Sequence, residues 1–187
     1  MSVTTLVLIA LLAVLVFWVV GAYNRLVRLR NRIADTFAQV DVHLRRRYEL
    51  IPNLVEAAQT HLPHEGSALD AVMAACNQAR SASDAVRAKP TRAAPMVALA
   101  AAEQALHANL GRLFTLSKSD PRLKADLAMR EFGDECTGTE TRLAFSRQTY
   151  NDAVRDYNHA QGQFPALMVA RLFGFAPLAM LPTTQAP

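Results

Sequence analysis

The chain is poor in the features that mark stapled or catalytic proteins. It has two cysteines, Cys76 and Cys136, in 187 residues, too few for a disulfide framework. No segment alternates apolar and polar residues as a half-buried strand does, and there is no low-complexity tract or internal repeat. A nucleophile with its base, paired carboxylates, a metal set and a phosphate cradle are all missing, so neither an enzyme nor a cofactor is expected. His61, His64 and Glu65 come closest to a metal set. Pro63 separates them and no third histidine lies near, so capping and solvent exposure are the expectation there. Zinc fingers and interleaved basic and aromatic residues are lacking too, which excludes nucleic acid as the expected partner.

Charge is absent from one long stretch. Val3 to Val20 carries none and spans roughly 27 Å as a helix, close to the roughly 30 Å hydrocarbon core of a bilayer. Trp18 and Tyr23 stand near its end, where amphipathic rings favour the interface. The competing reading is a cleaved signal peptide, with Val20-Gly21-Ala22 as its cleavage site. Against it, no Lys or Arg precedes the run, and the run is longer than a signal core. The expectation is a transmembrane helix over 1–23 with a short outer N-terminus, a helical bundle over 24–176 and a flexible tail over 177–187. Arg25, Arg28, Arg30 and Arg32 follow the apolar run closely. By the positive-inside rule they place the bundle on the cytoplasmic side of a bacterial inner membrane, where the +4 chain faces anionic lipid.

Beyond the membrane, apolar residues recur in heptads. Leu26, Ile33, Val40 and Leu54 form one row and Phe37, Leu44, Ile51 and Ala58 a second, giving a first helix to about Thr60. Leu69, Val72, Cys76, Ala79 and Val86 predict a second over Ser67 to Ala88, and Lys89 to Pro95 reads as a loop. Leu99, Leu106 and Leu113 mark a third. Asp120 and Pro121 supply the N-cap and first position of a long fourth, with Met129, Cys136, Leu143, Tyr150, Tyr157 and Phe164 as its seam. The two cysteines read as small buried residues of different seams rather than a redox pair. The pattern predicts an all-α fold: an N-terminal transmembrane helix followed by an antiparallel four-helix bundle.

Leu44 to Val55 breaks the pattern. Arg45, Arg46 and Arg47 cannot share one helix face, and Arg47 falls in a heptad row. Pro52 then removes a backbone donor inside the helix, which predicts a kink. A buried guanidinium needs a partner, and Glu140 on the fourth helix is the expected one for Arg46 or Arg47, unless Arg47 snorkels to solvent. Downstream, Tyr150-Asn151 and Tyr157-Asn158 lie two turns apart. They predict either interhelical hydrogen bonds that fix register or an exposed surface for a partner.

These residues carry a resemblance. Arg46-Arg47 with Glu49-Leu50-Ile51-Pro52-Asn53-Leu54-Val55 is similar to the signature of the LemA family of bacterial membrane proteins. So, in the same order, are Leu123-Lys124-Ala125, Thr139-Glu140, Arg147, Tyr150 to Val154, Tyr157-Asn158, Phe164-Pro165 and Phe173-Gly174-Phe175. The sequence departs modestly: Glu49 stands where aspartate is usual, Pro63 enters the first turn, and Gly133 and Gly138 soften the fourth helix. The resemblance implies a membrane-anchored bundle without an established activity. The functional expectation is a non-catalytic scaffold or adaptor, contacting the bilayer and an unknown protein partner and able to self-associate. The alternative is an accessory subunit regulating a membrane enzyme such as a protease. The interaction or structural motif is expected at Arg46, Arg47, Leu50, Ile51, Pro52, Asn53, Glu140, Tyr150, Asn151, Tyr157 and Asn158.

Overall fold

A computed structural model describes residues 2–62 and 64–182. Among them there is helix and no strand: α1 (Val3–His61), α2 (Gly66–Ala88), α3 (Ala93–Ser119), α4 (Pro121–Ala125), α5 (Leu127–Gly162) and α6 (Ala166–Phe173). Four long helices form the bundle. α1 lies along α5 and α2, and α2 lies along α3. Both heptad rows of α1 are buried from Leu26 to Ala58, whereas every residue from 3 to 18 is exposed. One helix therefore has two unlike parts. Its first part is apolar on all sides, and its second part is apolar only along the seam.

The helix passes Pro52 without a break. Proline at that position leaves the carbonyl four residues back without its usual donor. That carbonyl belongs to Tyr48, and Arg80 of α2 donates to it at 2.8 Å. The neighbouring helix thus supplies the bond that the proline removes.

Three expectations change. The loop before α3 ends at Arg92, and Pro95 falls in the first turn of α3, where no intrahelical donor is needed. The long fourth helix is split at Asp126. Asp120 caps α4 by accepting from Arg122 N at 2.8 Å, as expected, but Asp126 opens a new helix by accepting from Met129 N at 2.8 Å. Backbone donation from Met129 and the bond to His61, 2.9 Å away, hold the Asp126 carboxyl below its usual range. Phe164 also leaves the seam: α5 stops at Gly162, and Phe164 is 78 % exposed.

The flexible tail is corrected too, for residues 178–182. Leu178 and Leu181 are buried against α5, and their backbone is hydrogen-bonded there. The rest of that segment, 183–187, lies outside the described residues, as does Pro63 of the expected turn.

Candidate functional site

Two polar systems lie along α5. The first is a cluster of charges in the bundle centre. Arg47 sits where a heptad row of α1 calls for an apolar residue, and its side chain is 3 % exposed. It pairs with Glu103 of α3 at 2.8 Å and with Glu140 of α5 at 3.4 Å. Arg147 of α5 pairs with the same two carboxylates, at 2.5 Å and 3.4 Å. The Tyr48 hydroxyl donates to Glu103 at 2.7 Å. Desolvation first, and the Glu103 charge second, push the Tyr48 phenol far above its ordinary value, so it remains a donor. Two cations and two anions close into a neutral group spanning three helices.

The expected Arg47–Glu140 pair is present, so Arg47 does not snorkel. Glu103 was not anticipated. Its signal is in the heptads: Met96, Glu103 and Leu110 stand seven apart on α3, and Met96 and Leu110 are buried. Glu140 and Arg147 likewise share one row of α5 with Val154. Each charge replaces an apolar residue in a seam. Slipping one helix by a heptad would set Arg47 against Met96 or Leu110, leaving it buried and unpaired, so the cluster specifies register.

The other arginines stay at the surface. Arg46 bonds Glu135 and lies 3.6 Å from Glu49, and Arg45 reaches Asp41 at 2.8 Å. Asp41 is itself buried and was not foreseen. It accepts from Ser83 at 3.0 Å and from Arg87 through two bonds at 2.9 and 3.0 Å, tying α1 to α2. Desolvation raises its carboxyl, but the bonds from Arg87 and Ser83 and the charges of Arg87 and Arg45 outweigh that, leaving it below the usual range. Leu50 and Ile51 are core residues, Pro52 is half-buried and Asn53 is exposed.

The second system is the Tyr-Asn repeat. It makes neither of the expected contacts. Instead it clasps the strap 175–182 that follows α6. Asn158 donates to Leu178 O at 2.9 Å and accepts from Leu178 N at 3.0 Å; Asn151 does the same to Leu181, both at 2.9 Å. Tyr157 donates to Ala176 O at 3.1 Å and Tyr150 to Ala179 O at 3.3 Å. Gln161 adds a bond to Phe175 O at 2.9 Å.

The spacing explains the match. Seven residues of helix advance about 10.5 Å, and three residues of extended chain advance about 10 Å. Each Tyr-Asn pair therefore holds one tripeptide, Ala176-Pro177-Leu178 or Ala179-Met180-Leu181, through the backbone. Phe175, Leu178 and Leu181 turn inward at that period. Gly174 makes the connection: its φ of 70° lies in the left-handed region, and it ends α6.

Both thiols are free and buried. Burial raises Cys76 and pushes Cys136 up to about 11, so neither is a thiolate at neutral pH.

The charge cluster, the Tyr-Asn clasp and the α6 junction draw on residues that carried the sequence resemblance, with Tyr48, Glu103 and Gln161 added. The LemA family model matches residues 36–187. The chain belongs to the LemA family. The match covers most of the bundle and begins after the apolar part of α1. No curated protein sequence matches the chain. LemA is not known as a family of enzymes.

Proposed function

We propose that the chain is a single-pass protein of the bacterial inner membrane, and that its LemA bundle is a non-catalytic scaffold or adaptor on the cytoplasmic side. One observation carries the reading. α1 is a single helix whose apolar part is exposed on all sides from residue 3 to 18 and whose remainder is a core helix of the bundle. A bilayer gives that apolar part the solvent it lacks in water, and the continuous helix couples anything bound to the bundle directly to the membrane.

The interior supports a structural role. Among the described residues, Arg47, Tyr48, Glu103, Glu140 and Arg147 are engaged with one another, and both buried thiols are held protonated, as in a packed structural core. The arginines from Arg25 to Arg32 favour the cytoplasmic side.

The test is a pair of C-terminal fusions to the full-length chain, followed by membrane fractionation. A fluorescent green protein and an inactive alkaline phosphatase, both in the membrane fraction, are expected. Active phosphatase would reverse the orientation, and a soluble fusion would end the membrane reading.

A further inference from the structure

We infer that α6 is a membrane-surface helix, and that the cleft between it and α1 holds an anionic phospholipid. The inference rests on the transmembrane reading of α1 and adds a second lipid contact to it.

α6 has two unlike faces. Ala166, Val169 and Ala170 pack into the protein, whereas Met168, Leu172 and Phe173 are exposed. Phe164, just before the helix, extends the exposed row at four-residue spacing to Met168 and Leu172. So much exposed apolar surface on so short an element marks a contact site.

Its position selects the occupant. Trp18 lies 6.3 Å from Phe164, and Tyr23 lies 4.9 Å from Phe173 and 5.7 Å from Phe175, measured between ring centres. Those two α1 residues stand where the apolar run ends, which is where a bilayer about 30 Å thick puts its headgroup boundary. The exposed face of α6 thus lies at the depth where amphipathic helices rest on a leaflet. A cytosolic protein would have to compete with lipid for it.

The cleft adds an independent feature. It measures about 600 Å³ and is lined by Phe17, Trp18, Gly21, Ala22, Arg25 and Pro165 among others. Small residues on α1 leave room for an acyl chain, and Arg25 is the one cation in the lining, suited to a phosphate. Arg28 and Arg171 are exposed nearby in sequence and favour an anionic headgroup. The Tyr-Asn clasp prepares the arrangement. It fixes the strap immediately after Gly174, so α6 is held in place before it meets lipid.

The test uses the full-length protein in vesicles of three parts phosphatidylcholine to one part phosphatidylglycerol. Spin labels are placed at Leu12→Cys, Met168→Cys, Leu172→Cys and Val97→Cys, with the buried native thiols unlabelled. Labels at 12, 168 and 172 are expected to collide with oxygen more than with a water-soluble nickel chelate, and the label at 97 the reverse. An aqueous label at 12 overturns the transmembrane reading itself. Lipid at 12 with water at 168 and 172 overturns only the present inference, as does shielding of 168 and 172 from both agents, which reports a protein cover. In native mass spectrometry of the same vesicles, phosphatidylglycerol is expected to be retained over phosphatidylcholine. Arg25→Gln should lower that preference about fivefold, the worth of one basic residue at an anionic surface. Gly21→Leu should abolish retention of both lipids; nothing lies within 4 Å of the added Cβ, and an unchanged circular dichroism melt checks that the fold accepts the rest of the side chain. Retention unchanged in both variants removes the cleft site.

Discussion

Around Glu140 and Arg147, charged side chains of α5 pair with side chains of two other helices; from Tyr150 to Gln161, the clasping Tyr, Asn and Gln side chains of the same helix hydrogen-bond to backbone. The difference decides what each system can tolerate. The charge cluster needs particular residues at particular heights on α1, α3 and α5, because any missing member leaves an opposite charge in the core. The clasp needs a chain of the right path, with an apolar residue at every third position, and is indifferent to side chains between. One system selects how the bundle assembles. The other fastens a segment remote in sequence to a finished surface and thereby positions α6.

The comparison can be broken at its strongest point first. Glu103→Ala leaves Arg47 and Arg147 facing each other with only Glu140 between them, and should destabilise the bundle by about 3–5 kcal/mol, read as a lowered melting temperature by circular dichroism in detergent. Glu140→Ala should cost less, since its contacts are longer and its side chain is more exposed. A larger loss for Glu140→Ala would mean that α3 is not essential to the cluster.

Next comes the clasp. Asn151→Ala removes both bonds to Leu181 and should cost about 2 kcal/mol, near 1 kcal/mol for each bond. Hydrogen exchange at the Leu181 amide should accelerate while the α1 seam stays protected, and Met180→Ala should change neither. Equal acceleration across α1 and the strap would show that the clasp is part of the core rather than an attachment to it.

The Pro52 repair offers a rescue. Arg80→Ala should cost about 1–3 kcal/mol by leaving the Tyr48 carbonyl with only the long, weak donation from the Cys76 thiol. In a Pro52→Ala background the helix supplies its own donor, so the same change should cost clearly less. Equal losses in both backgrounds would detach Arg80 from the proline.

Smaller still is the pH dependence at Asp41. Its folded pKa lies below the unfolded value of about 3.9, so its ion pairs stabilise fully above about pH 4 and that stability fades as pH falls through the folded value. The gap in denaturant midpoint between the wild-type chain and Asp41→Asn should therefore close on acidification. A gap constant from neutral pH to pH 3 would remove the ionic part of the Asp41 contact. Least affected should be Arg46→Ala: its pairing with Glu135 is solvent-exposed, and the melting temperature should barely move.

Much of this was legible in the chain. The heptads of α1, α2 and α3 could be read because burial in a bundle repeats every seven residues, and Arg47 stood out because it interrupted that repeat. Glu140 was legible as a partner on charge alone. Glu103 was not, although it occupies a row between Met96 and Leu110, because among the alanines of α3 a single glutamate also suits a solvent face. Asp126 escaped notice because an aspartate within a helical pattern signals a cap only once the chain has turned there. The Tyr-Asn pairs were visible as a repeat, but their partner was an irregular segment with no periodicity to announce it.

By itself, the order of residues determined where helices form, which stripe of each is apolar, that Val3 to Val20 carries no charge, and that the chain is of the LemA kind. Those properties follow from local periodicity and composition. Only the tertiary structure decided which carboxylate meets which arginine, that Arg80 answers for Pro52, and that residues 178–181 lie clasped on α5. Such contacts join positions far apart in the chain, and their geometry exists only once the helices are packed.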